Sequence, residues 1–445
     1  MKNAKTKKII ISVTKKIIIS VAAALLAAAV LALVFLAGYW TRGAVGSTSY
    51  DWVLGVIADH YYKDVDASSA DEIAIDALVD EYLDIYSEYY TAEEYAAQQQ
   101  SNAGVKSGLG VSYSYIPGSG ITIISCVGNS PAYRAGLRSG DVVLYGVKDG
   151  VRTDFGSSSD FSSFVSSLAD GEEAEFVCAS GKSCTIAKEV YSASYVFMAT
   201  NDSAWTFTGS DALQMTETEG DAISYLPEGA AYISLSQFYG GAPQQFKTAV
   251  EKFNELGLTS LVLDLRNNGG GSVSVMQKIA GCFPSAAGKT ALVARSKSGD
   301  EKVYEAESYS SQYTLPEDID VYILANGSTA SASEALAGVL VSYGIAGYGD
   351  IYISEYSQEY LSAMGLTAEE AKSGRTYGKG IMQTTYEYVT GEALKLTTHQ
   401  IYWPNGESIH DKGLSQSDGC NLVSAPLPLS GDGEELRLAV GMIYG

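Results

Sequence analysis

Residues 321–383 read VYILANGSTASASEALAGVLVSYGIAGYGDIYISEYSQEYLSAMGLTAEEAKSGRTYGKGIMQ. Val321 to Ala325 is a short apolar run of strand character, and Asn326 to Thr329 is turn chemistry. At Ser331 a run of small residues with helix-forming neighbours begins, so the stretch predicts strand, turn and helix in an α/β core. A serine at such a junction is exposed, and the first free amides of the helix point at whatever carries developing negative charge beside it. That is a suitable seat for a nucleophile.

Serine is a weak nucleophile unless a neighbouring base takes its proton. The chain has three histidines, His60, His399 and His410, and none has triad company in the sequence. Lysine is the other partner known for serine, and Lys379 stands between Gly378 and Gly380, where backbone can approach closely. To be neutral near pH 7 its pKa must fall by roughly three units, a cost on the order of 4 kcal/mol that burial can supply. Gln383, on the strand expected to follow, can orient the lysine. Lys372 is a rival base in a solvated setting.

TASASEALAG followed by TYGKGIMQ resembles the nucleophile and base signatures of the C-terminal processing peptidases, the tail-specific proteases. The resemblance implies Ser331 as nucleophile, Lys379 as general base and Gln383 as its assistant. It covers roughly Tyr50 to Gly413 and implies a crotonase/Clp-like α/β protease core over residues 191–445 that needs no metal or cofactor.

Upstream of the nucleophile, AAYISLSQF reads as a strand, APQQFKTAVEKFNELG as a helix stopped by glycine, and LTSLVLDLR as a buried strand. NNGGGSV then leads into another helix, which places backbone amides where an oxyanion can be held. No GKS or GKT follows, so a phosphate loop is excluded. In the family this turn gives one amide to the oxyanion hole, which implies Gly269 or Gly270 here, with Ala332 supplying the second. Asp264 and Arg266 read as an ion pair supporting the turn. Residues 191–228 are strands or linker.

Residues 105–190 form a β-rich module of short alternating strands, and GLG with NSPAYRAGLRSGDVVL resembles a PDZ domain. Free amides around Gly108, Leu109 and Gly110 can hold a terminal carboxylate, while the edge of the strand opening at Val111 can pair with an extended peptide. Residues 47–104 are a helical arm, with a capping box at Thr91 and Glu94. Its LDIYSEYY string is similar to the family's LDPYSxY without the proline. The arm reads as packing or homodimerisation surface, with no active-site role for its tyrosines and glutamates.

Six lysines precede an uncharged run from Ile17 to Tyr39. Its 23 residues extend about 34 Å as a helix, enough to cross a bilayer core. A cleaved signal peptide would have a shorter apolar stretch, of about 7–15 residues. Residues 1–42 therefore predict a single-pass transmembrane anchor at the cell membrane, with everything after Arg42 on the extracytoplasmic side. The formal charge is −23 overall and +7 over residues 1–42, which leaves −30 for the remainder. A body that acidic excludes nucleic acid as a partner held by simple attraction. Five cysteines are no disulfide framework, although Cys178 and Cys184 flank a hairpin turn and can bridge in an oxidising compartment.

One departure stands out. Ser331 and Lys379 are 48 positions apart, about twice the family spacing, and DIYISEYSQEYLSAMGLTAEEAKSG intervenes. It reads as an insertion near 350–374 at a surface loop, with Thr367 and Glu370 opening a small helix. The expectation is a multidomain α/β serine endopeptidase acting on protein or peptide substrates with exposed C-terminal tails. A catalytically silent peptide-binding scaffold and an acyl-CoA enzyme on the same core are the alternatives.

Overall fold

The computed structural model describes residues 70–425 and 433–445, together with Tyr50, Val53, Val56 and Ile57. The expected membrane anchor lies outside the described residues. Among the described residues no helix is long and apolar enough to cross a membrane.

The chain divides into two compact units, residues 1–81 and 82–445. In the first, helix α1 (Ala70–Tyr82) carries an exposed Ile73 and Leu78. The amphipathic pattern predicts helix as far as Tyr90, but the helix stops at Tyr82. Asp84 Oδ1 accepts the backbone N–H groups of Tyr86 (3.1 Å) and Ser87 (2.9 Å), and that local turn outcompetes another helical one. Strand β1 (Glu88–Tyr90) follows, then helix α2 (Ala92–Asn102), capped by Thr91 and Glu94 as expected.

The β-rich module contains β2 (Val105–Gly108), β3 (Val111–Ile116), β4 (Gly120–Cys126), α3 (Pro131–Arg134), β5 (Val142–Lys148), β6 (Val151–Asp154), α4 (Ser158–Ser166), β7 (Glu173–Cys178), β8 (Ser183–Ala187) and β9 (Glu189–Ser192). Ile121, Ile123, Phe161, Phe164 and Phe176 centre a core of its own. Strand β3 pairs with β4 only, so its outer edge is open. Cys178 and Cys184 are not bridged, and all five cysteines are free thiols. Phe176 is the residue opposite Cys184, so Cys178 sits diagonally across the hairpin, at a spacing of about 7–8 Å that is too long for a disulfide. Burial pushes the Cys178 thiol up to about 11.

The segment 191–228 proves to be strands: β10 (Val196–Ala199), β11 (Ala204–Thr208) and β12 (Gln214–Glu217). They extend an eight-stranded sheet whose centre is built from β13 (Ala230–Leu235), helix α5 (Ala242–Glu255), β14 (Ser260–Asp264) and helix α6 (Val273–Ala280). After β15 (Thr290–Ser296) and β16 (Glu301–Glu305) come β17 (Asp320–Ala325), helix α7 (Ala332–Ser342), β18 (Ile351–Tyr356), helix α8 (Gln358–Met364), β19 (Ile381–Glu387), β20 (Ala393–Tyr402), β21 (Asn421–Ala425) and helix α9 (Glu434–Tyr444). The order is β12-β11-β10-β13-β14-β17-β18-β21, parallel from β13 onward. Alternate residues serve two cores: Leu261, Leu263, Ile323 and Ile353 pack with α5, α6 and α7. Val262, Leu324, Tyr352 and Val423 pack instead with Leu436, Ala439 and Val440 of α9. Burial on both faces explains why these strands read as continuous apolar runs. A second sheet joins β1, β20, β15 and β16, with β19 on β20.

The stretch read as an insertion is corrected here. Ile351–Tyr356 is strand β18 of the main sheet, with Ile351–Ser354 buried, so only residues 357–374 leave the core. The helix expected at Thr367 is a turn: Thr367 and Glu370 exchange their capping bonds, yet the helix of this region is α8, before it.

Candidate active site

Strands β14 and β17 are parallel neighbours, and each ends in a turn that starts a helix. Ligand sites in such sheets form beyond the carboxyl ends of the strands. The two turns are sewn together. Asn267 N–H donates to Asn326 Oδ1 (3.0 Å), and Asn326 Nδ2 donates back to Asn267 Oδ1 (2.9 Å). Thr329 Oγ1 donates to the Leu265 carbonyl (2.8 Å), and Ala330 N–H to that of Asn268 (3.0 Å). The Asp264–Arg266 pair supports the turn as expected, with Nη2 to Oδ2 at 2.6 Å. Tyr232 donates to the same carboxylate at 2.7 Å, and Arg266 also reaches Glu435 of α9 at 3.2 Å.

Ser331 is the residue before α7, with φ 57° and ψ −115°. That is a strained backbone for a residue with a Cβ, and such strain persists only where surrounding structure holds it. Glu334 holds it. Its carboxylate is fully buried and accepts four hydrogen bonds: Oε2 from Ser331 N–H (2.9 Å) and Lys379 N–H (3.0 Å), Oε1 from Thr376 Oγ1 (2.6 Å) and Gly378 N–H (2.8 Å). Burial raises the Glu334 pKa, and the four donors oppose it. Residues 48 apart in sequence therefore share one carboxylate oxygen. The glycines around Lys379 allow this approach: a Cβ on Gly380 would stand 2.6 Å from His410 N, and one on Gly378 2.9 Å from Gly413 N.

The Lys379 side chain is half-buried, and among the described residues its Nζ has neither a carboxylate nor a hydrogen-bond acceptor. Burial first, and then the charge of Lys395, lower its pKa. Its Nζ lies 4.2 Å from the centre of the Tyr86 ring. Gln383 does not bond the lysine: its Nε2 donates to Thr397 Oγ1 at 2.9 Å. Lys372 Nζ lies over the Tyr377 ring at 4.6 Å. His399 bonds its neighbour Thr398, and His410 approaches the site by backbone, against Gly380.

Gly270 packs on the Ser331–Ala332 backbone, and its own N–H is taken by Asn268 Oδ1 at 2.9 Å. The N–H groups of Gly269 and Ala332 donate to nothing among the described residues. Of the two glycines offered by the sequence, Gly269 has the available amide. Among the described residues the amides of Leu109 and Gly110 are likewise without an acceptor, beside the open edge that starts at Val111; Gly108 closes β2.

Two contributors were not read from the sequence. Glu334 has a legible signal, since Ser331 and Glu334 have capping-box spacing. Tyr86 has none, because its string was read as a packing arm, and its ring lies against Lys379 Nζ.

The family model described as Peptidase family S41 matches residues 229–348, which contain both turns and Ser331. A probable CtpA-like serine protease of Staphylococcus aureus (strain N315) is 28% identical over 363 residues, covering 81% of this chain and 62% of the relative. Its counterpart in Staphylococcus haemolyticus (strain JCSC1435) is 27% identical over 367 residues, covering 82% and 62%. The chain thus spans 62% of the length of these curated relatives. A solved structure assigned to the S41 proteases of Bacteroides fragilis shares the fold, with a TM-score of 0.55 at 14% identity over 88% of this chain and 97% of that one. The photosystem II D1 C-terminal processing protease aligns over 88% and 91%, with a TM-score of 0.46 at 21% identity. Residues 229–348, which carry the serine turn and the glycine turn, are thus similar to peptidase family S41, and the chain is similar to CtpA-like serine proteases.

Proposed function

We propose that this chain is a membrane-anchored serine endopeptidase that recognises the C-terminal tails of protein substrates and cuts peptide bonds with a Ser331–Lys379 dyad. The observation that carries the reading is the single Glu334 oxygen that receives the amides of both residues. Neutral Lys379 Nζ takes the proton of Ser331 Oγ as the oxygen bonds to the substrate carbonyl carbon. The carbonyl electron pair moves onto its oxygen, which the N–H groups of Ala332 and Gly269 hold. When the tetrahedral centre collapses, the lysine ammonium gives its proton to the departing amine. Water, deprotonated by the same lysine, then releases the acyl group from serine. Gln383 acts at one remove in this reading, by fixing Thr397.

A terminal carboxylate in the loop Gly108–Leu109–Gly110, with the tail paired to the edge at Val111, would supply the tail selectivity of a PDZ-type module. Residues 17–39 would hold the body outside the cell membrane.

The test is labelling with a fluorophosphonate probe in membranes that carry the full chain. The label is expected on Ser331 in the parent and in Lys372→Ala, and slower by on the order of 10³-fold in Lys379→Ala. Unchanged labelling of Lys379→Ala would remove the dyad. In the same preparation, amidating the C-terminus of a substrate peptide is expected to raise KM about tenfold with little change in kcat, because a charge-assisted contact is lost. An unchanged KM would leave the module without this role.

A further inference from the structure

The string Asp84–Tyr90 lies beside the base without belonging to its strand or to the nucleophile turn. Strand β1 pairs with β20 in the register Glu88↔Lys395, Tyr89↔Leu394 and Tyr90↔Ala393. Ser87 Oγ accepts the Thr397 N–H (3.1 Å), and Lys395 Nζ reaches Glu88 (2.7 Å) and the Tyr90 hydroxyl (2.9 Å). The string is thus fastened to the sheet immediately after Tyr86. The Tyr86 hydroxyl donates to that of Tyr377 at 3.0 Å, with the rings edge to face at 6.5 Å. Tyr377 in turn donates its N–H to the Thr329 carbonyl (3.0 Å), in the turn before Ser331.

We propose that Tyr86 is a positioning residue for Lys379: its ring covers Nζ and keeps water from it, and its hydroxyl pins that ring, through Tyr377, to the nucleophile turn. The proposal rests on reading Lys379 as the base. The ring has two opposing effects on the lysine. Its π face favours an ammonium, whereas its bulk removes the water an ammonium needs. The groups that face the lysine are Tyr86 and Asp84 from this string, Tyr377 from its own loop, Lys395 from β20 and Glu334 from α7; Asp411 acts on Tyr86. Lys395 disfavours the ammonium, and the two carboxylates, Asp84 and Glu334, favour it. Burial is the largest influence, so water exclusion prevails and the lysine titrates low. Removing the ring admits water, and the lysine then holds its proton to higher pH.

The experiment is the pH profile of kcat/KM for peptide cleavage by the full chain, with fluorophosphonate labelling against pH as a second readout. Tyr86→Ala is expected to move the acid limb up by about one pH unit, so that activity below the limb falls about tenfold. Tyr86→Phe keeps the ring and is expected to leave the limb in place. Should Tyr86→Ala fail to fold, Tyr86→Gln carries the same expectation. A lower rate with an unmoved limb would reduce Tyr86 to a structural residue, and a downward shift would mean that the π face governs; either overturns the proposal. Lys379→Ala is measured alongside. If it still cleaves, the dyad reading fails; if it is inert while Tyr86→Ala keeps the parent limb, only this inference fails.

Discussion

Glu334→Ala is expected to leave a chain that does not reach its native state. Truncation strands the N–H groups of Ser331, Gly378 and Lys379 and the hydroxyl of Thr376, all donors to this one carboxylate. Each buried donor left without a partner costs about 1–3 kcal/mol, and four of them reach the scale of a whole domain's stability. The same loss frees the backbone of Ser331 from its positive φ of 57°. Glu334→Gln separates the two consequences. The amide keeps the shape but turns an NH2 group toward two of the donors, so the variant is expected to fold with a lowered midpoint and to lose at least about 10²-fold in kcat. Denaturant midpoints beside kcat decide it, and a Gln variant with parental kcat would show that Glu334 does not position the pair.

Gly270→Ala is the second large effect. A Cβ there would stand 2.7 Å from the Ala330 carbonyl oxygen, 2.8 Å from Ala332 N and 2.9 Å from Ser331 Cβ, on a backbone with φ +96°. None of the three can yield without moving Ser331 or the amide of Ala332. The displaced amide is expected to cost about 10²–10³-fold in kcat, the range for loss of one oxyanion donor, with KM nearly unchanged. Steady-state cleavage beside Gly269→Ala, whose Cβ would meet nothing within 4 Å, provides the comparison. Equal kinetics for the two variants would argue against the packing of Gly270 on Ser331 as the determining feature.

The strands and helices around the serine were legible because they are buried on both faces or on one stripe: LVLD, VYILA and the small-residue helix after Ser331 carry their periodicity openly. The lysine was legible through its two glycines, whose role becomes concrete in the backbone of His410 and Gly413. Strand β18 was misplaced because it falls in the stretch that exceeds the family spacing, while its burial depends on β17 and β21, whose paired residues lie 28 and 69 positions away. Glu334 looked like an ordinary helix-start carboxylate, because capping spacing says nothing of a second chain segment arriving at the same oxygens. Tyr86 was illegible for a stronger reason: its partner is 293 positions downstream, and only the tertiary fold brings them together.

The register between β1 and β20 joins residues 307 positions apart. Closing a loop of that length costs about 5 kcal/mol in chain entropy, against roughly 1 kcal/mol for a two-residue hairpin. Contacts of this separation form after local ones, because the entropy is spent before the pairing returns anything. By this argument the side chain proposed to shield Lys379 would arrive late in folding. On the proposed reading, a partly folded chain would hold serine and lysine without the dry surroundings in which a lysine gives up its charge, and the order of folding would itself restrain any attack on peptide bonds.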